Sequence, residues 1–237
     1  MKLTILMYHR VEELPHDAVH ATNFVRPPQF AAQLSALRRW GYGSVTFDDW
    51  LTYRSDRGAF PRRPVIITFD DGYRSVRDVA WPILKEHGFS ATTFLVSDAV
   101  GGTNRWDADE RQVSLLDAGD VRALRAEGMS FGSHGRTHRP LARIPLADAT
   151  EELVRSRQDL EALLDEPIRL LSYPYSNQSS AVRRAAQQAG YTAAVRGRGR
   201  MNRPHVDPLG LRRIKIDFRT SIGALRWRLF RERWTRL

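Results

Sequence analysis

The sequence predicts an α/β fold in which βα units surround a mostly parallel sheet or barrel. Three observations carry that expectation. Short apolar runs alternate along the chain with longer helix-like segments. The run Val65-Ile66-Ile67 has no polar interruption, as in a strand buried on both faces. Chemically conspicuous groups follow four of the runs: His9, Asp70/Asp71, His134/His138 and Tyr173-Pro174-Tyr175. The C-terminal strand ends, where these groups would lie, are where such folds gather their active sites.

Expected strands cover Leu3–Tyr8, Gly43–Phe47, Pro64–Phe69, Ala91–Val96, Met129–Gly132, Arg169–Tyr173, Thr192–Val195 and Leu211–Ile216. Expected helices between them cover Pro28–Trp40, Asp48–Tyr53, Val76–His87, Ala118–Glu127, Pro145–Leu164 and Ser180–Ala189. Gly41, Gly88 and Gly190 follow three of these directly and act as stop signals. No linker or repeat interrupts the pattern, and 237 residues with 42% hydrophobic content suit one large domain with a sizeable core. We read residues 1–220 as that domain and 221–237 as a basic, Trp-rich C-terminal helix. Trp227, Phe230, Trp234 and Leu237 recur there at helical spacing among arginines, so the segment either packs Trp227 on the domain or docks a membrane face or protein partner.

There is no cysteine, so a disulfide and a thiolate metal site are excluded and any metal must use His, Asp or Glu. The formal charge of +10 comes mostly from Arg spread along the chain. No basic helix with interleaved aromatics dominates, so no nucleic-acid partner is expected. No apolar stretch reaches the length of a membrane span, and the N-terminal one is too short for a signal-peptide core; a cytoplasmic location is expected.

Two runs carry the chemistry. Thr68-Phe69-Asp70-Asp71-Gly72-Tyr73 ends one apolar stretch, and Ser133-His134-Gly135-Arg136-Thr137-His138 ends another. Two imidazoles, one carboxylate ligand and a second carboxylate left as a base make the inventory of a catalytic zinc-type site. His134 and His138 are four apart, and a helical turn there would aim both the same way. Asp70 and Asp71 would point to opposite faces within a strand, so at its end one reaches a metal and the other reaches elsewhere. The plainer alternative is that an Asp caps the following helix. Thr46-Phe47-Asp48-Asp49-Trp50 repeats the same four residues without the long apolar run before or the glycine after; there Asp48 is expected to cap the Asp49–Tyr53 helix. His87 ends a helix and is expected at its last carbonyls, and His16, His20 and His205 are read as surface residues.

Thr68–Gly72, the His134/His138 pair and Tyr173-Pro174-Tyr175 resemble, in order, the first three motifs of the polysaccharide deacetylases (the NodB-homology domain, carbohydrate esterase family four). The resemblance implies a distorted (β/α) barrel of about seven parallel strands. It also implies a carbohydrate deacetylase, a hydrolase acting on an amide C–N bond of an acetylated glycan. Asp71, His134 and His138 would hold one divalent metal, Zn2+ first, with Co2+, Ni2+ or Fe2+ as alternatives. Asp70 would be the base activating a metal-bound water. Tyr73, Tyr173, Pro174 and Tyr175 would bind substrate, with the Tyr175 N–H holding the oxyanion. The sequence departs from the family in three places. Leu171 stands where an Arg usually orients the base, and Ser176 stands where Gly follows the motif. Leu209-Gly210-Leu211-Arg212 lacks the late His that serves as general acid. Met7-Tyr8-His9-Arg10 resembles the start of the exopolysaccharide-type branch, so His9 is the expected acid; the alternative is a core or turn histidine. Two other functions stay open, an amidase removing another N-acyl group from a small or lipid-linked glycan, and a barrel that binds glycan without catalysis.

Overall fold

The computed structural model describes residues 2–56, 58–197, 199 and 201–234, with side chains described through residue 230. In chain order the elements are β1 (Thr4–Tyr8), β2 (Arg10–Val11), β3 (Phe24–Val25), α1 (Pro27–Arg39), β4 (Gly43–Ser44), α2 (Phe47–Asp56) and β5 (Pro64–Phe69). Then come α3 (Trp81–His87), β6 (Thr92–Leu95), α4 (Ala118–Ala126), β7 (Ser130–Ser133), α5 (Leu146–Leu164) and β8 (Leu170–Ser172). The chain continues with α6 (Ser180–Gln188), β9 (Ala193–Arg196), β10 (Leu211–Arg212), β11 (Ile214–Lys215) and α7 (Ile222–Trp234).

The main sheet runs β10-β9-β8-β7-β6-β5-β1-β11, with every pairing parallel, and β4 adds to the start of β5. Its two edges, β10 and β11, are consecutive in sequence and separated by Arg213 alone. The expected strand Leu211–Ile216 is therefore one strand bent at Arg213, pairing with β9 before the bend and with β1 after it. That bend closes the sheet into a distorted (β/α) barrel.

Alternation along the strands sorts the side chains. Val65, Ile67 and Phe69 of β5 and Leu6 and Tyr8 of β1 face outward into the core beneath the helices. Tyr8, Phe30 of α1 and Phe69 form an aromatic trio with centroids 5.1–5.9 Å apart. Leu3, Ile5, Ile66, Phe94, Leu170, Val195 and Leu211 form a separate inner cluster. Continuing the same parity toward the C-terminal ends places Met7 and His9, Asp70, His134, Gly197, and Arg213 and Lys215 around one cavity. The barrel is thus filled with hydrocarbon at one end, each buried Leu or Ile stabilising it by roughly 1.5–3 kcal/mol, and is polar at the other.

Local differences from expectation have physical causes. The expected Gly43–Phe47 strand stops at Ser44, because Thr46 and Asp49 exchange side-chain to backbone hydrogen bonds of 2.8 and 3.0 Å and start α2 at Phe47. The cap is therefore Thr46, not Asp48. The helix expected over Val76–His87 begins as a π-helical turn, Val76–Ala80, before α3; Pro82 has no N–H to continue an α-helical ladder backward. On α7, Leu225 and Leu229 are buried in the core while Trp227 and Phe230 are 58% and 59% exposed, so the two leucines carry the buried face. The Trp234 side chain and Leu237 lie outside the described residues. Among the described residues no helix is long and apolar enough to cross a membrane.

Candidate metal centre and active site

Strand β5 ends at Phe69, and Asp70 continues its inward parity, its N–H bonded to the Tyr8 carbonyl at 3.1 Å. Asp71 then takes a left-handed conformation (φ 74°) and Gly72 another (φ 79°). A side chain at that φ is strained, and a Cβ on Gly72 would also push Leu95 Cδ2 aside from 2.7 Å, so glycine suits this reversal. The turn brings Asp71 back over the cavity beside Asp70, and both are buried.

His134 follows β7, its N–H bonded to the Leu95 carbonyl at 2.7 Å. The expected helical turn between the two histidines is absent. Gly135 (φ 76°) and His138 (φ 62°) are left-handed instead, and they fold an irregular loop that still aims both rings at Asp71. Nε2 of His134 and Nε2 of His138 each lie 3.4 Å from Asp71 Oδ1. Ligand atoms of these three residues all lie within 4.8 Å of one another.

The protonation pattern fits a metal. His134 Nδ1 lies 2.7 Å from the Ser172 carbonyl, which can only accept, so Nδ1 carries the proton. Nε2 of that ring then faces Asp71 Oδ1 at 3.4 Å, a contact that either a proton on Nε2 or a cation between the two atoms completes. Burial opposes charging Asp71, yet hydrogen bonds with His134 and His138 hold its pKa well below the carboxylate range. Burial would lower His134, but Asp70 and Asp71 raise it. Nδ1 of His138 is buried without a partner among the described residues. Two nitrogens and one carboxylate oxygen, with one ring fixed by a carbonyl behind it, could together hold a divalent ion.

Asp70 is clamped by a residue the sequence reading missed. Arg213 donates from Nη1 to Oδ1 at 2.7 Å and from Nη2 to Oδ2 at 2.6 Å, a bidentate pair with Arg213 only 1% exposed. Thr68 Oγ1 and Ser172 Oγ accept further bonds from the guanidinium at 3.1 and 2.9 Å. Burial pushes Asp70 up, but Arg213 and His134 outweigh it and leave the pKa below its ordinary value. Leu171, which aligns with the family's Arg, is buried in the outer core. Arg213 reaches Asp70 from the bend between β10 and β11, where the sheet closes. Its signal in the sequence was parity, since Arg213 shares the inward phase of Leu211 across the bend.

His9 lines the same cavity. Burial pushes its pKa down to about 4, against the raising effect of Asp71 and Asp70. The cavity, about 410 Å³, also takes in Met7, Tyr173, Tyr175, Trp106 and Lys215. Trp106 stacks on His138 with centroids 4.7 Å apart, and Tyr175 meets the same ring edge-on at 4.6 Å. Tyr175 is 57% exposed at the mouth and left-handed (φ 56°), as is Ser176 (φ 58°). Tyr173 is 1% exposed and its hydroxyl donates to the Leu209 carbonyl at 3.0 Å, so it supports the wall. Tyr73 does not line the cavity. It is 2% exposed, packs with Val96, Ala99 and Leu115, and lies under the Arg10 guanidinium. His20, expected at the surface, lies on the cavity 3.7 Å from Asp107 and 3.5 Å from Asp109.

Comparison with known proteins shows the family and the fold. A family model for polysaccharide deacetylases matches residues 57–194, more than half of the chain. The chain is 25% identical over 196 residues to the Bacillus subtilis protein YxkH, covering 82% of this chain and 64% of that protein. It is 25% identical over 210 residues to a poly-β-1,6-N-acetyl-D-glucosamine N-deacetylase of Staphylococcus epidermidis, covering 79% of this chain and 71% of the relative. In fold it is similar to the deacetylase PplD of Streptococcus pyogenes, solved with acetate (TM-score 0.84, 23% identity, 97% and 98% of the two chains). It is also similar in fold to IcaB of Ammonifex degensii (TM-score 0.82, 24% identity, 96% and 97% of the two chains).

Proposed function

The chain belongs to the polysaccharide deacetylase family, and we propose that it is a metal-dependent hydrolase removing N-acetyl groups from a poly-N-acetylglucosamine-type glycan. One observation carries the proposal: Asp71, His134 and His138 converge beside a base, Asp70, that Arg213 clamps in the same open cavity. The choice of sugar is supported by the named activity of the S. epidermidis relative.

Asp71, His134 and His138 would hold the ion. A divalent cation there, zinc or otherwise cobalt, nickel or iron, would polarise the acyl carbonyl and acidify a water. Asp70, ionised at neutral pH, takes a proton from the attacking water while Arg213 fixes its orientation. Oδ2 of Asp70 lies 4.0 Å from His134 Nε2, so the base sits directly beside the ligand set. The Tyr175 N–H, carried by its left-handed turn, donates to the oxyanion. His9 rests neutral, receives the proton collected by Asp70, and delivers it to the leaving nitrogen as the C–N bond breaks. The amine then departs with that proton, and the acetic acid left behind gives its own proton to the amine, so that acetate and an ammonium group are the products at neutral pH. The checking measurement is acetate release from N-acetylglucosamine oligomers by Zn2+-loaded protein. Release that disappears in Asp70→Asn with Zn2+ retained supports the assignment. Formate release from N-formyl sugars alone would move it to another N-acyl amidase, and oligomer binding without release would move it to a non-catalytic barrel.

For partners beyond the glycan, the outward face of α7 sets Trp227 and Phe230 beside exposed Arg226 on a chain of net charge +10, which suits an anionic lipid surface. Phosphatidylglycerol vesicles should shift tryptophan emission, less in Trp227→Ala. Unchanged emission rejects this docking.

A further inference from the structure

The loop that carries the two histidines is held from behind by one face of α5. That face buries Ala149, Leu153 and Leu160, as an amphipathic helix should, but it also buries Glu152 and Ser156, one turn apart. Glu152 is 7% exposed. Its Oε2 accepts from the Arg136 N–H at 3.0 Å and the Thr137 N–H at 2.9 Å, and its Oε1 accepts from the Thr137 hydroxyl at 2.6 Å. Those two residues lie between the histidines. All three donors are uncharged, and burying a carboxylate is costly without strong hydrogen bonds of this kind. Ser156 Oγ completes the brace by donating to the Gly135 carbonyl at 3.0 Å, and it shares a 2.7 Å bond with Ser133 Oγ.

Backbone bonds from Ser97 and Asp98 reach the Gly135 and Arg136 carbonyls at 3.2 and 3.1 Å, but among the described residues no backbone–backbone bond holds Thr137 or left-handed His138. We infer that Glu152 is a positioning residue for metal binding: by tying down Arg136 and Thr137 it fixes His138 in the orientation that points Nε2 at Asp71. The inference rests on the metal reading above. Acting through geometry, Glu152 separates reach from charge. Glu152→Gln keeps the reach: its carbonyl oxygen accepts the two amides, its NH2 donates to a rotated Thr137 hydroxyl, and only the charge is lost. Glu152→Asp keeps the charge and falls a methylene short.

The test is Zn2+ affinity of the full chain, measured by competition with a chromogenic chelator, with no substrate present. Expected losses are about 10- to 100-fold for Glu152→Ala and nearly as much for Glu152→Asp, but within about threefold of wild type for Glu152→Gln. Thr137→Val, which leaves both amide bonds, should fold whether or not Glu152→Ala does, and should lose affinity by a smaller factor. Wild-type affinity in Glu152→Asp, or a loss in Glu152→Gln as large as in Glu152→Asp, would overturn the positioning role. Wild-type protein that takes up no Zn2+ would overturn the metal reading and this inference with it, whereas normal uptake by wild type and Glu152→Ala alike would overturn this inference alone.

Discussion

Thr-Phe-Asp-Asp occurs twice in this chain, and the two copies end in different chemistry. At 46–49 the word opens a helix, with Thr46 and Asp49 exchanging capping bonds and both aspartates exposed. At 68–71 it closes a strand, with both aspartates buried, one on Arg213 and one between two histidines. The first copy leaves the sheet at the level of Val65, and the second four residues further along β5, roughly 13 Å higher and at the polar rim. Val65-Ile66-Ile67 carries the second copy through the barrel, and Gly72 then lets it turn over the cavity. Gly43-Ser44 ends before that level and Trp50 offers no such turn. Identity of four residues settles little; the run before and the residue after decide where the carboxylates arrive.

Paired substitutions sharpen the contrast. Asp70→Asn should lower turnover by about 10²- to 10⁴-fold with metal content unchanged, because it removes a base and leaves the ligands. Asp48→Asn should leave turnover within about twofold. Acetate-release kinetics beside elemental analysis of the metal check both, and comparable turnover in Asp70→Asn would break the contrast.

The next effect is on stability. Arg213→Ala leaves Asp70 buried without its partner and should cost about 3–5 kcal/mol in denaturant unfolding, with a large loss of turnover. Arg213→Lys restores a charge but not the two-point grip, so it should recover part of the stability and little of the activity. Neither change has a counterpart at 46–49, where water solvates the carboxylates.

Most of the fold and the Asp71-His134-His138 cluster, which could hold a metal, were legible from local order. The strand Pro64–Phe69 and four groups at strand ends needed only periodicity, and Asp70, Asp71, His134 and His138 were grouped by chemistry before any geometry. What was illegible depended on closure. Arg213 is 143 residues from Asp70, and the bent strand that delivers it, β10 to β11, reads in sequence as a single run. The helical reading of His134–His138 failed because Gly135 and His138 take left-handed angles that spacing does not reveal. Tyr73 was assigned to substrate by its neighbours, yet the Gly72 reversal turns it into the core.

Acidification separates the copies by a smaller amount. His9 titrates at about 4 in the folded chain, against about 6.5 unfolded. As pH falls, the unfolded chain binds this proton first, so the stability that neutral His9 contributes above pH 6.5 is lost on descending toward pH 4. The full loss is about 3 kcal/mol. Asp70 and Asp71, held low, titrate below that window, and His134, held high, titrates above it. Urea unfolding of chelator-treated protein between pH 4 and 7 should show the slope in wild type and in Asp48→Asn, and a flatter profile in His9→Gln. An unchanged slope in His9→Gln would place the acid sensitivity elsewhere.

The smallest effect makes the sharpest comparison, because the substitution is the same at both sites. Thr46→Ala removes a helix cap and should cost about 1 kcal/mol of stability without touching turnover. Thr68 Oγ1 donates to the Leu6 carbonyl at 2.8 Å and accepts from Arg213 at 3.1 Å, so it tethers the arginine that holds Asp70 to the wall of β1. Thr68→Ala should cost a similar amount of stability, but it should also lower turnover several-fold with Zn2+ content intact. Two threonines that open the same four-residue word would then differ in kind of effect and not in size. Equal turnover in both variants would mean that Arg213 holds Asp70 without Thr68, leaving Ser172 as the hydroxyl that sets the guanidinium.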